Sequence, residues 1–372
     1  MSGEAGDIPG LDPAINPAPL ARPRWGRRSP ERPDASFGGD RGGATYAALD
    51  LGTNNCRLLV ARPSGEAFRV VDAFSRIVRL GEGVSSSGRL SEAAITRAIG
   101  ALAICRNKMK NKGVTRARLI ATEACRAAQN GAQFLDRVAD ELGLTLEVID
   151  RETEAQLAAT GCTPLIDPQA DGAILFDIGG GSSEVVRLAR SQRGRGGPPL
   201  PQIRGWISVP HGVVTLAERH GGITVTRESY EAMVLEIATL IAPFVREHGG
   251  EGTAGIHMLG TSGTVTTIAG VHLNLKRYDR NRVDGCWMNA QQIKAVIERL
   301  LAMSYEDRVA SPCIGAERAD LVLAGCAILE AIQRAFPCPR LRVADRGLRE
   351  GMLVQMMRED GAWSGGNQAA IS

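Results

Sequence analysis

The sequence predicts an α/β protein of two domains built alike, with a ligand cleft between them. Three observations carry this. A short apolar strand, an acid followed by glycine and small polar residues, and a second apolar strand occur twice, at 46–61 and 172–188. Overlaid, Asp50 falls on Asp177, Gly52 on Gly179, Asn55 on Ser182 and Arg57 on Glu184, an offset of 127 residues that marks an internal repeat. At 256–271 an apolar strand runs through Gly260-Thr261-Ser262-Gly263-Thr264 into a helix. A length of 372 residues suits two domains, and sites concentrate in clefts between such units.

Each glycine-polar turn has a chemical reading and a plain one. In Asp177-Ile178-Gly179-Gly180-Gly181-Ser182-Ser183-Glu184, glycine lets backbone approach a ligand or take positive φ, and successive N–H groups form an anion-binding concavity. Asp177 would repel a bare anion, so it belongs beside a cation or an attacking water. The plain reading is a tight hairpin, but two turn residues would suffice for that, and three glycines between two carboxylates favour phosphate. Gly52-Thr53-Asn54 repeats the pattern. Gly260 through Thr264 places N–H groups at a helix N-terminus, an anion site or an ordinary helix cap.

Composition narrows the function. Hydrophobic residues make up 44% and charged residues 23%, as in soluble globular proteins. A net charge of +3 with 4% aromatics implies neither a strong nucleic-acid field nor stacking platforms for bases. The eight cysteines form no Cys-x-x-Cys pair and the five histidines lie apart. Reduced thiols and no zinc spacing are therefore expected. No apolar run is long enough to span a bilayer and no secretory leader is visible, so cytoplasm is the expected location.

Residues 1–43 are rich in Pro, Gly, Ala and Arg, with six arginines against six acids. They read as a disordered tail, whose Trp25-Gly26-Arg27-Arg28 patch could meet an anion but suits solvent better. The first domain is expected over 44–168. Its elements are the 46–61 hairpin, a strand at 68–74, a polar loop at 81–88, and a helix from the Ser91 cap to about Lys112. A strand at 117–121, one helix from Thr122 to about Leu142, and a strand at 144–149 follow. A short helix from Asp150 to about Gly161 carries Glu152 and Glu154, which point in different directions. The helix dipole suffices to explain Glu152; for Glu154, dipole and cleft readings both stand. The second domain is expected over 169–372: the 172–188 hairpin, a surface loop at 190–204, a strand at 206–209, and helices at 213–220 and 227–248. The strand and helix around Gly260 come next, with helices at 290–303 and 316–335, a strand at 341–344 and a closing helix that could pack on the first domain. Arg346 and Arg349 could complement phosphate or form surface ion pairs, and His211 reads as structural.

Three phosphate-type loops on two repeated domains resemble the actin, sugar-kinase and heat-shock-protein ATPase superfamily. Within it the chain resembles the exopolyphosphatase / guanosine pentaphosphate phosphatase family. The motifs are Ala48 through Asn54, Ala121-Thr122-Glu123-Ala124-Cys125-Arg126, Glu154-Ala155, Asp177 through Glu184, and Gly260 through Thr264. Arg318-Ala319-Asp320 and Gly347-Leu348-Arg349-Glu350-Gly351 complete the set. Thr153 stands where the family usually has a second glutamate, and Ser262 where many members have glycine. The resemblance implies two ribonuclease-H-like domains with mixed sheets flanked by helices, an active site in the cleft, and a short form without a C-terminal helical domain.

It also implies hydrolysis of a terminal phosphate with Mg²⁺. Glu154 would be the catalytic glutamate that orients or deprotonates water. Asp177, Glu184 and Asp50 would be the metal-side carboxylates. Gly52, Thr53, Asn54, Gly179, Gly180, Gly181, Ser182, Gly260, Thr261, Ser262 and Gly263 would hold phosphates, and Arg57 and Arg126 would offset charge. The implied partner is polyphosphate or guanosine pentaphosphate (pppGpp), with no membrane and no nucleic acid as main partner, and a homodimer as a candidate assembly. A small-molecule kinase of the same superfamily, and a sensor that binds polyphosphate or (p)ppGpp without turnover, are the readings from other classes.

Overall fold

The computed structural model describes residues 43–190, 197–249 and 255–363. The tail expected over 1–43, its last residue apart, lies outside them, as does part of the loop expected over 190–204.

The first sheet contains β1 (Tyr46–Leu51), β2 (Asn55–Ser64), β3 (Ala67–Ile77), β4 (Arg116–Ala121) and β5 (Glu147–Val148), in the order β3-β2-β1-β4-β5. Its helices are α1 (Val84–Ser87), α2 (Glu92–Asn111), α3 (Glu123–Ala127) and α4 (Gly131–Leu142). As expected, Ser91 caps α2, its side chain accepting from the Ala94 N–H. The helix α5 (Arg151–Cys162) then leads to the second sheet.

That sheet contains β6 (Gly172–Ile178), β7 (Ser183–Ala189), β8 (Gln202–Val209), β9 (Ile256–Thr261), β10 (Trp287–Asn289) and β11 (Arg340–Ala344), in the order β10-β11-β9-β6-β7-β8. Its helices are α6 (Val213–His220), α7 (Arg227–His248), α8 (Gly263–His272), α9 (Arg280–Val283), α10 (Ala290–Ala302), α11 (Tyr305–Ala310) and α12 (Val322–Ala335), and α13 (Leu348–Glu359) closes the described chain.

The repeat read from the sequence is a repeat of topology and register. β1 pairs antiparallel with β2 and parallel with β4; β6 pairs antiparallel with β7 and parallel with β9. Asp50 sits opposite Arg57, and Asp177 opposite Glu184. The glycine turns are closed alike, Gly52 N–H donating to Asn55 O and Gly179 N–H to Ser182 O, both at 2.9 Å. The α/β architecture of mixed sheets flanked by helices is the one expected.

Each sheet buries both faces. The first packs one face on α2 and α4, the second one face on α7, α8 and α12. Their other faces share α5 and α13. Leu157 and Ala158 of α5, with Met352, Leu353, Met356 and Met357 of α13, cover Tyr46, Ala48, Leu59 and Ile120. Ala155, Ala159 and Cys162 of α5 cover Ala173, Leu175, Val186 and Leu259. The α5 helix therefore belongs to both sheets, and the closing helix does pack on the first. Where α5 and α13 cross, a Cβ on Gly161 would lie 2.0 Å from Gly347 O, and one on Gly351 2.0 Å from Leu157 O.

Five local expectations are corrected. The single helix expected over 122–142 is broken at 128–130. Asn130 leaves the helix to bridge both backbone groups of Leu90, at 2.8 and 3.0 Å, a tertiary tie that periodicity does not carry. The strand expected at 144–149 keeps only the Glu147–Val148 ladder. The helix expected from Ala316 begins at Val322; Gly315, at φ +73°, starts a turn that holds Arg318 and Asp320. β8 starts at Gln202, inside the expected surface loop, and the loop at 81–88 contains the single turn α1.

The crossing of α5 and α13 yields a stability test. Gly351→Ala is expected to lower unfolding free energy by roughly 1–3 kcal/mol through overpacking. Gly100→Ala, in the middle of α2 with nothing within 4 Å of the added carbon, should raise it by about 0.5–1 kcal/mol. Urea unfolding of both variants distinguishes a packing requirement from a general glycine effect.

Candidate functional site

The tips of the two hairpins together line a cavity of about 820 Å³. From the first hairpin it is lined by Asp50, Gly52, Thr53, Asn54, Asn55 and Arg57; from the second by Asp177, Gly179, Gly180, Gly181, Ser182 and Glu184. The end of β9 and the start of α8 add Thr261, Ser262 and Gly263, and the first turn of α5 adds Glu154. The residues singled out from sequence thus converge, with two exceptions.

Gly260 is one exception. It lies within β9, paired with Phe176 and Val343, and a Cβ there would meet the Phe176 ring at 2.5 Å. Its small size serves sheet packing, and it does not line the cleft. Arg126 is the other. Instead of lining the cavity it binds Glu154 at 2.8 Å, bonds Glu123 at 2.8 Å and donates to Ile149 O at 2.6 Å. It holds Glu154 in place from behind.

Close approach accounts for Gly179, Gly180 and Gly181, whereas a Cβ on Gly52 or Gly263 would meet nothing nearer than 3.6 Å. None of the five adopts the left-handed backbone region. A Cβ on Gly180 would sit 2.8 Å from Thr53 Cβ, and one on Gly181 2.8 Å from Thr53 Oγ1, so the hairpin tips pack directly on each other. The α6 N–H groups of Val213 and Val214 are occupied by Gly179 O and Gly180 O, both at 2.9 Å. Positive φ falls on Ser262 instead, at +107°, a region costly for any residue with a Cβ. Ser262 Oγ, Asn54 Oδ1 and Asn55 Oδ1 are buried without a hydrogen-bond partner. Buried polar atoms are almost always satisfied, so three orphans along one cavity mark a place where a polar ligand completes the bonding; an Asn amide turned by half a rotation offers N–H donors there.

The cleft gathers charges of both signs. Burial raises Asp50, partly offset by the Arg57 and Arg349 charges. Burial pushes Asp177 up to about 6, Asp50 adding to it and Arg57 opposing. Glu154 is pushed up to about 7, again by burial first; the Arg126 charge and hydrogen bond pull it back, and Asp50 and Asp177 add to it. Glu184 stands well above the carboxylate range through burial, Glu154 and Asp177, although Ser208 donates to it at 2.8 Å. Among the described residues no three acids, histidines or cysteines form a preformed cation cage.

Arginines line the same cavity. Arg318 and Arg349 are lowered by burial. Arg318 makes one long contact, 3.4 Å to Thr267 Oγ1. Arg346 lines the cavity but is engaged by Asp284. His211 lies outside the cavity lining, 3.3 Å from Glu236. Sequence reading missed Ser208 and Glu123. Ser208 is found through the β7–β8 register, which sets it opposite Glu184, a strand pairing the sequence reading did not assign. Glu123 joins Arg126 and Arg151, a contact made only when α3 and α5 meet.

The raised carboxylates give a pH signature. Asp177 titrates higher in the fold than its ordinary unfolded value near 3.9. Its protonated form is therefore the one the fold prefers. That stability is fully present below about pH 4 and is lost as pH rises through about 6, on the order of 2 kcal/mol. Asp177→Asn should melt above the wild-type protein at pH 8, with the gap closing toward pH 4 in a melting-temperature series.

The Ppx/GppA phosphatase family profile matches residues 59–360. A Haemophilus influenzae protein provisionally named an exopolyphosphatase is 27% identical over 312 residues, spanning 83% of this chain and 90% of that protein. The crystal structure of an Aquifex aeolicus Ppx/GppA family member is 29% identical with a TM-score of 0.69, over 85% of this chain and 98% of that one. An exopolyphosphatase structure from Cytophaga hutchinsonii, 22% identical, shares the fold with a TM-score of 0.75 over 85% of this chain and 98% of that one. Matched along most of its length, with the hairpin pair and the cleft in place, the chain belongs to the Ppx/GppA phosphatase family.

Proposed function

We propose that the protein is an exopolyphosphatase, a phosphoanhydride hydrolase that removes the terminal phosphate of inorganic polyphosphate. The observation that carries this is one cleft lined both by the carboxylates Asp50, Glu154, Asp177 and Glu184 and by arginines that include Arg57, Arg318 and Arg349. Phosphoanhydride hydrolysis needs positioning, charge neutralisation and an oriented water, and little covalent work by the protein.

The N–H groups and hydroxyls of Gly52–Asn54, Gly179–Ser182 and Thr261–Gly263 hold phosphate oxygens. Glu154, held by Arg126 and titrating near 7, is matched to general-base work at neutral pH. It takes a proton from the attacking water as the new P–O bond forms and the bridging P–O bond breaks. Arg57, Arg318 and Arg349 offset the charge that gathers on the transferred group and on the departing chain. The donor set fits Mg²⁺. Its carboxylates are hard oxygen ligands, raised first by burial and in three of them also by one another, and Mg²⁺ commonly takes only one or two carboxylates together with water and phosphate. Asp177 and Glu184 would hold it, with Asp50 nearby, and when bound it supplies charge neutralisation at the phosphates.

The alternative substrate is pppGpp, cleaved at its 5′-terminal phosphate. Tyr278, 42% exposed, lines the cavity beside Pro312 and Ile314, an apolar platform on which a base can stack. Among the described residues Tyr278 is the only aromatic residue in the lining, whereas six arginines line it (Arg57, Arg76, Arg280, Arg318, Arg346 and Arg349). That balance favours the polymer.

Phosphate release from long polyphosphate, short polyphosphate, pppGpp and ATP, compared side by side, tests the reading. Polyphosphate is expected to be cleaved fastest, and Glu154→Gln to lower kcat by roughly 10²–10⁴-fold with the fold intact. Fastest release from pppGpp would select the alternative, and near-normal turnover in Glu154→Gln would remove Glu154 from its role. A second outcome concerns pH. Losing the Arg126 charge raises the Glu154 pKa further, so Arg126→Ala should move the acidic limb of the kcat profile to higher pH; an unmoved limb would assign it to another group.

A further inference from the structure

The first phosphate loop is tied to the opposite half of the molecule through Arg79. This residue follows β3 with φ +45°, a left-handed conformation in which a non-glycine residue needs external support. Its own half supplies part of that support. Val78 N–H and Arg79 N–H both donate to Asn54 O, at 2.9 and 3.0 Å, and Gly81 N–H donates to Thr53 O at 2.9 Å. A Cβ on Gly81 would lie 2.3 Å from Thr53 Cγ2. Arg97 holds the same segment from the other side, donating to Val78 O at 2.8 Å.

The rest comes from across the cleft. Arg79 donates through Nη1 to Asp320 Oδ2 at 2.8 Å, and through Nη2 to Asp320 Oδ1 at 2.9 Å and Glu317 O at 3.1 Å. This bidentate geometry fixes orientation as well as distance. Glu317 and Asp320 bracket Arg318, the cavity-lining arginine with only one long contact. A parallel contact lies a few residues on, where Gly83 N–H donates to Glu218 Oε1 at 2.9 Å and Ser85 Oγ to its other oxygen. Between the two contacts is a space of about 190 Å³ lined by Asn54, Arg79, Glu82, Glu218 and Asp320.

We propose that Arg79 is a positioning residue: its clasp on Asp320 closes the cleft at one edge and at once sets the Thr53–Asn54 loop and the Arg318 turn at their working separation. The inference rests on the reading that this loop and Arg318 contact phosphate. Arg79 itself touches no substrate. Breaking the clasp leaves Glu154 and its Arg126 support in place but releases the two phosphate contacts from one another. The chemical step is then spared and binding is weakened.

Arg79→Ala and Asp320→Asn break the clasp from its two ends, and Arg79→Lys keeps the charge without the fork. Both breaking variants should raise KM for polyphosphate about tenfold, the loss of one charge-assisted contact, with kcat changed less than about twofold. Arg79→Lys should recover part of the loss. Hydrogen–deuterium exchange without substrate should quicken at Val78, Arg79 and Gly81 in both breaking variants while global unfolding is unchanged. Unaltered exchange there, or an effect from one end of the pair only, overturns the clasp. A fall in kcat with KM unchanged overturns the positioning role. If the wild-type protein releases phosphate from none of the four compounds above, the functional reading fails, while the exchange measurement still decides the clasp.

Discussion

The backbones of α5 and α13 meet without side chains between them, and the site is built outward from that contact. Glycine at 161 and 351 lets the helices approach until a single added carbon on either would fall 2.0 Å from a carbonyl oxygen of the other segment. The contact sets the first turn of α13 against the last two turns of α5, and both helices reach the cleft. Glu154 enters from α5 and Arg349 from α13, residues nearly two hundred positions apart in the chain. Further ties lock the arrangement: Thr261 Oγ1 donates to Arg346 O at 2.7 Å, Cys162 Sγ to the same oxygen at 3.2 Å, and Glu350 caps α13 by accepting from Gly347 N–H at 2.9 Å. Because α5 packs on both sheets, its first turn, which carries Glu154, is fixed relative to both hairpin tips.

Within that frame the electrostatics of the cleft are unfavourable. Four carboxylates are raised by burial and, in three of them, by one another. Two arginines of the same cavity are lowered by burial. Neither set neutralises the other in full. Ser262 adds backbone strain at φ +107°, and three polar atoms lack partners. Clusters of perturbed titratable groups and strained backbone mark functional sites, where a fold gives up stability for chemistry. A polyanion with a divalent cation is the ligand that would relieve all three features together.

The fold was legible because its strongest signals are local. The hairpins are apolar strands bounded by polar turns, and their repeat could be seen by laying one on the other. The Asp50–Arg57 and Asp177–Glu184 pairs then follow from antiparallel register alone. Caps behaved in the same way, as at Ser91. Errors arose where a distant residue overruled the local pattern. Asn130 breaks a helix to reach Leu90. The turn before α12 keeps Asp320 for Arg79. Gly260, read as part of a phosphate loop, answers to Phe176 across the sheet.

The sequence by itself determined the two hairpins, the acids at their tips and the Glu154 helix, because strand period, turn chemistry and capping depend on neighbours along the chain. Only the tertiary structure decided which of those groups share a cavity and what each one faces. It turned Arg126 from a cavity residue into the support of Glu154, and set Ser208 on Glu184. For Gly180 and Gly181 it also moved the reason from backbone φ to the contact between the two tips. The physical reason is the same in each case: burial, ion pairing and close packing depend on distances through space, and those were fixed only when α5 and α13 crossed and brought the two sheets together.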